Sequence, residues 1–112
     1  MKNAGSIIDA IRGANPPATE DLPISSGTPL KIDCSDPSVS SVYIQLFGDA
    51  YITWALSDAE AVTNFSSGNC FKFLSGERIT LGVQAAHDTY LYALSTGSAV
   101  TDGIRYSFNF TV

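Results

Sequence analysis

Apolar and polar side chains alternate along most of this chain. Val42, Ile44 and Leu46 alternate with Tyr43, Gln45 and Phe47, and Ile52, Trp54 and Leu56 with Tyr51, Thr53 and Ala55. Phe71 and Phe73 flank Lys72, Ile79, Leu81 and Val83 alternate with Thr80 and Gly82, and Tyr90, Tyr92 and Leu94 with Leu91 and Ala93. The clearest run is the last, where Ile104, Tyr106, Phe108, Phe110 and Val112 alternate with Arg105, Ser107, Asn109 and Thr111. A period of two sends successive side chains to opposite faces, as a half-buried strand requires.

Turn-forming residues separate these runs: Asp36-Pro37, Gly48-Asp49, Ser66-Ser67-Gly68-Asn69, Ser75-Gly76-Glu77, Thr96-Gly97-Ser98 and Asp102-Gly103. With Pro29–Asp33 as the first strand, about seven short strands result, and their spacing predicts an all-β domain, an antiparallel β-sandwich of jelly-roll or Ig-like type. Residues 57–62 (SDAEAV) are open to a helix or a loop, and Thr63–Asn69 reads as a long loop. Asp49–Ser57 and Asp88–Ser95 echo each other, which shared strand preference explains better than duplication.

Residues 1–27 follow a different pattern and read as an arm, leaving 28–112 as the sandwich. Ser6 and Asp9 are spaced as a capping box, Ile7, Ile8 and Ile11 share one helical face, and Gly13 can end the turn. So short a helix is marginal by itself. Asn15–Pro23 then reads as an extended linker. Two readings stand side by side: the arm docks on a partner, or it packs on its own domain.

Charge narrows the partners. Only 15% of the 112 residues are charged and the net charge is −5. The six basic residues, Lys2, Arg12, Lys31, Lys72, Arg78 and Arg105, are scattered. Binding nucleic acid or an anionic membrane surface needs concentrated positive charge, so neither is expected. The N-terminus lacks the apolar core of a signal peptide, and no stretch approaches the ~20 apolar residues of a membrane span. The chain therefore reads as soluble and made in the cytoplasm, which makes the sequons at Asn64 and Asn109 chance occurrences.

No catalytic or metal site is expected. The single His87 stands beside Asp88 and has no nucleophile–base pattern around it. Asp33 with Asp36, and Asp58 with Glu60, read as solvated loop acids rather than paired catalytic carboxylates. Cys34 and Cys70 read as reduced thiols, with a disulfide as the alternative, and a metal would need further ligands. No cofactor motif is present. The aromatics Trp54, Tyr43, Tyr51, Tyr90, Tyr92 and Tyr106 suit a core, a partner face or a sugar platform, with Trp54 and Tyr92 the first candidates for a sugar.

From about Ser41 onward, the order of features resembles small structural proteins of tailed bacteriophages. The matching segments are Tyr51-Ile52-Thr53-Trp54, then Gly68-Asn69-Cys70-Phe71-Lys72-Phe73-Leu74-Ser75-Gly76-Glu77-Arg78-Ile79-Thr80-Leu81, then Leu91-Tyr92-Ala93-Leu94-Ser95-Thr96-Gly97, and a final alternating strand. The N-terminal arm and the Thr63–Asn69 segment depart from that pattern. The resemblance implies a virion component: a capsid decoration (cement) protein on the capsid surface, or a head–tail or tail accessory. The expected partners are the major capsid protein and further copies of the chain, a homo-oligomer with a trimer favoured. The expected contact residues are Ile7, Ile8, Ile11, Tyr51, Trp54 and Tyr92. A carbohydrate- or host-binding module of a tail or fibre is the second reading, and an enzyme the last.

Overall fold

The alternating segments do form strands. The structure, a computed structural model, describes residues 21–83 and 90–110. In chain order the elements are β1 (Leu22–Ile24), β2 (Leu30–Asp33), β3 (Val39–Leu46), β4 (Ala50–Ala55), α1 (Asp58–Ser67), β5 (Phe71–Phe73), β6 (Arg78–Gly82), β7 (Tyr90–Ser95) and β8 (Val100–Phe110). The chain thus has one more strand than its periodicity suggested. That strand is β1, inside the stretch assigned to the arm. Ile24 is fully buried and pairs with Val100 of β8. The sheet therefore starts at Leu22, not at residue 28. Three residues with a central proline give too short an alternation to read, and Pro23 is tolerated because β1 is a sheet edge.

The strands form two four-stranded sheets, β1-β8-β3-β6 and β2-β7-β4-β5. Every pairing is antiparallel. β1 lies against β8, β2 against β7, β3 against β6 and β4 against β5. One long hairpin, with β4 and β5 at its tip, has been rolled so that successive rungs fall in alternate sheets. This is the jelly-roll topology, and it settles the choice from the Ig-like alternative.

The core lies between the sheets. From the first sheet come Ile24, Val42, Ile44, Leu46 and Ile104, and from the second Ile32, Ala50, Ile52, Leu91 and Ala93, each at most 1% exposed. These are alternate residues of their strands, as the period of two required. Gly103 makes the approach of β1 possible, because a Cβ there would collide with the side chain of Ile24.

The second sheet is covered on its other face too, by α1. Ser57 caps the helix by accepting from the Glu60 amide at 3.2 Å, and Glu60 reaches back to accept from the Leu56 amide at 2.7 Å. Gly68 ends it in the left-handed region at φ 83°. Residues 58–67 are therefore helical, where the sequence left the first part open and read the remainder as loop and turn. Ala61 and Phe65 of α1 pack with Ala55 and Tyr92 of the sheet. Asn64 holds the helix down, donating to Thr53 Oγ1 at 3.3 Å and to the Trp54 carbonyl at 3.2 Å.

The echoing segments 49–57 and 88–95 contain β4 and β7, which are neighbours in this doubly covered sheet. Shared surroundings account for their likeness. Cys34 and Cys70 are unbridged. They flank β2 and β5, the opposite edges of one sheet. Three strand spacings of about 4.8 Å put them well beyond the ~7 Å Cα limit of a disulfide.

Candidate partner-contact surface

Among the described residues, those expected to meet a partner, Tyr51, Trp54 and Tyr92, do not form one surface. Ile7, Ile8 and Ile11 lie outside the described residues, as does His87. Tyr51 and Trp54 are on β4 but three positions apart, so they point to opposite faces. Trp54 is half-buried against the main core, and Tyr51 is half-buried on the helix side. Tyr92, expected at a contact face, is instead 1% exposed beneath α1. The expectation failed because alternation shows that one side of a strand differs from the other. It does not show that a distant helix will cover the outer side.

Tyr92 has a structural partner. Its hydroxyl donates to Asp58 Oδ1 at 2.6 Å. Burial, and then the Asp58 carboxylate, push the phenol well above its ordinary value of 10.0. Beside this pair is a small cavity of about 240 Å³ lined by Gly27, Thr28, Pro29, Asp58, Val62 and Tyr92. Sites for drug-sized ligands usually run from roughly 300 to 1,000 Å³. Among the described residues lining it, the only carboxylate, Asp58, already accepts a hydrogen bond.

The sequence's paired acids are likewise engaged locally. Asp33 accepts from the Ser35 amide at 2.9 Å, and Asp36 accepts from both the amide and the hydroxyl of Ser38, at 2.9 and 2.7 Å. Hydrogen bonds to the charged form lower both carboxyls, led by the Ser35 side chain for Asp33 and the Ser38 backbone for Asp36. No group of three or more His, Cys, Asp or Glu that could hold a metal occurs among the described residues.

Of the five large apolar side chains exposed among the described residues, Leu56 (56%) and Val62 (53%) lie just before and on α1, and the other three lie on or just after β3 and β5. Phe71 of β5 is 67% exposed, Leu74 just after β5 is 52% exposed, and Phe47 just after β3 is 46% exposed. Their backbone is fixed rather than loose. The Gly76 amide donates to the Leu46 carbonyl at 2.8 Å and the Leu46 amide to the Glu77 carbonyl at 3.0 Å. The Ser75 amide donates to Asp49 Oδ1 at 2.8 Å, and the Phe47 amide to the Gly103 carbonyl at 2.8 Å. The turn after β3 and the turn after β5 are thereby tied into one end of the sandwich. Phe71 itself stacks at 6.4 Å on Phe73, which packs on the core. Two large apolar side chains on hydrogen-bonded turns, Phe47 and Leu74, and a third on the edge strand β5, Phe71, suit a protein contact.

The sequence carried a signal for this end. Phe47 precedes Gly48-Asp49, and Leu74 precedes Ser75-Gly76, so both are large apolar residues at turns where polar ones are the norm. The outer face of the first sheet is different. Ser41, Tyr43 and Gln45 stand there beside Arg105, Ser107 and Asn109, and Arg78 and Thr80. It is a polar, solvated sheet surface.

Comparison of the chain with known protein families, curated proteins and solved structures finds no match.

Proposed function

We propose that this protein is a capsid decoration protein of a tailed bacteriophage. On this reading it sits as a homo-oligomer on the outside of the shell and bridges neighbouring copies of the major capsid protein. The observation that carries the reading is the exposed apolar end formed by Phe47, Phe71 and Leu74 on a body of low charge. Burying what these three expose is worth roughly 3–5 kcal/mol, given about 1.5–3 kcal/mol for a fully buried large apolar side chain. Set against the cost of association, that supports only weak binding by one copy. Several linked copies would multiply it, which favours an oligomer on a repeating lattice. A net charge of −5 suits the outer face, away from packaged DNA. The strand and turn order resembling phage structural proteins points the same way.

Jelly rolls also serve in lectins and cupins, so topology alone does not choose. The sugar-binding reading is weakened because its two first-choice rings, Trp54 and Tyr92, lie on opposite faces of one sheet and one of them is buried. The test is co-sedimentation of the purified chain with capsids of the phage whose genome encodes it. Saturable binding at a fixed ratio to the major capsid protein is expected. Virions whose protein inventory lacks the chain, together with no binding to capsids, would overturn the proposal.

A further inference from the structure

Two of the chain's six basic residues stand in one row on the outer face of the first sheet. Gln45 of β3 is opposite Arg78 of β6 on one side and opposite Arg105 of β8 on the other. Their sequence neighbours Ile44, Ile79 and Ile104 pack in or against the core, so Arg78, Gln45 and Arg105 all point outwards. Two strand spacings put the arginine backbones about 10 Å apart, within reach of one anion held over Gln45. The next row on the same face is Thr80, Tyr43 and Ser107. Tyr43 is half-buried there and Thr80 is exposed. Guanidinium, amide, phenol and hydroxyl groups thus share one patch of a hydrogen-bonded sheet.

A carboxylate is already held at one end of this patch. Arg105 Nε donates to Asp21 Oδ1 at 2.8 Å, and the arginine side chain remains 40% exposed. That bond uses one of the five N–H donors of the guanidinium. Arg78 is exposed on β6, at the end of the sheet order. The ligand that fits is an anion, and a carboxylate presents two oxygens to the planar fork of an arginine. The rest of the patch decides its class. None of the five exposed large apolar side chains stands in either row, so a peptide with apolar anchors finds no hold there. Two arginines on a chain of net charge −5 are too few to grip a phosphate backbone. A sugar suits the patch better. Its hydroxyls match Gln45, Thr80 and Ser107, and the C–H face of its ring matches the apolar body of Tyr43.

We propose that the outer face of the first sheet binds an acidic saccharide. Its carboxylate sits between Arg78 and Arg105 over Gln45, and its ring lies against Tyr43. Asp21 is then an internal competitor for Arg105. The site uses neither Trp54 nor Tyr92. It does not rest on the capsid reading, whose contact is the exposed apolar end.

The experiment titrates the isotope-labelled full chain with a galacturonic acid trimer and follows backbone amide signals. Saturable shifts centred on Tyr43, Gln45 and their partners in the two rows are the expected result. The galactose trimer, which lacks the carboxylates, should bind at least about tenfold more weakly, as the loss of one charge-assisted hydrogen bond predicts. Arg78→Gln should weaken the acidic trimer to the same degree in a chain that keeps its urea midpoint. Asp21→Asn, which releases Arg105, should tighten binding about two- to fivefold. No gain from Asp21→Asn would overturn the two-arginine site. Absence of saturable shifts, equal binding of the neutral trimer, or equal binding of a tetraglutamate peptide would each overturn the saccharide assignment.

Discussion

The hydroxyl of Tyr92 and the carboxylate of Asp58 meet at 2.6 Å and join β7 to the first turn of α1. The helix cannot leave the sheet without exposing a phenol that α1 keeps dry. Tyr92→Phe keeps the ring and removes the bond. Because the acceptor is charged but solvent-exposed, the expected loss is about 1–2 kcal/mol. A cycle with Asp58→Asn should return a coupling energy of about 1 kcal/mol from urea midpoints. Additive single losses would show that the bond contributes nothing.

The same pair predicts a pH dependence with a definite sign. The folded phenol of Tyr92 titrates above its ordinary value of 10.0, so the unfolded chain loses this proton first as pH rises. Stability is complete below that value and falls above it, by up to about 1.4 kcal/mol per pH unit for this group. Burial raises Tyr106 in the same direction. Urea midpoints between neutral pH and the alkaline limit should drop more steeply in the wild type than in Tyr92→Phe, so the two curves converge. Parallel curves would remove Tyr92 from the account.

Gly103 and Ile24 make a second close pair. A methyl at Gly103 would overlap the fully buried Ile24 side chain, with the Val100 carbonyl 3.2 Å away on the other side. Gly103→Ala should cost about 1–3 kcal/mol, as overpacking does. Ile24→Ala removes both the Cγ1 and the Cδ1 that collide, so the double variant should lose less than the sum of the two single losses in a thermal melt. A neutral Gly103→Ala would mean β1 shifts away freely.

How far the fold was legible follows from where the physics is local. The strands with one dry and one wet face announced themselves, and Ile44, Ile52 and Ile104 fell in the core as their alternation required. β1 was missed because its alternation spans only Leu22 and Ile24 around a proline. The helix had local signals, Ser57 three residues before Glu60 and Gly68 at its end, yet only Ala61 of its ten residues is fully buried, so its apolar stripe is thin. The burial of Tyr92 was not legible. It depends on α1 packing across two strands, a contact that no period along the chain encodes. The exposure of Phe71 follows from its place at the margin of a sheet edge, and sequence order does not say which strand is the edge.

The helix caps supply another measurable consequence. Ser57→Ala removes the acceptor for the Glu60 amide and should cost about 1 kcal/mol. Gly68→Ala meets no neighbouring atom but forces a side chain into the left-handed region at φ 83°, which should cost about 1 kcal/mol as well. The sites are separate, so the double variant should lose the sum, within about 0.5 kcal/mol. Melts that show no loss from Ser57→Ala would indicate that Glu60 alone holds the helix start.

The exposed tip separates function from folding. Phe71 and Leu74 are mostly in water, and Phe71 lies on the three-residue edge strand β5. Their replacement by serine removes apolar surface that the folded domain hardly uses. Phe71→Ser/Leu74→Ser should therefore leave the urea midpoint within the equivalent of about 1 kcal/mol of wild type, at most about 0.5 kcal/mol per surface change. If the proposed capsid role holds, the same two changes should weaken capsid binding at least about tenfold, since each 1.4 kcal/mol of lost burial is a factor of ten. Lys72 lies between them in register with Tyr51 on the helix side of the sheet. Lys72→Ser is the matched control and should leave binding unchanged. If the double variant bound capsids as tightly as wild type, the tip would have no part in the contact, and the binding face would have to be sought on the polar side of the first sheet.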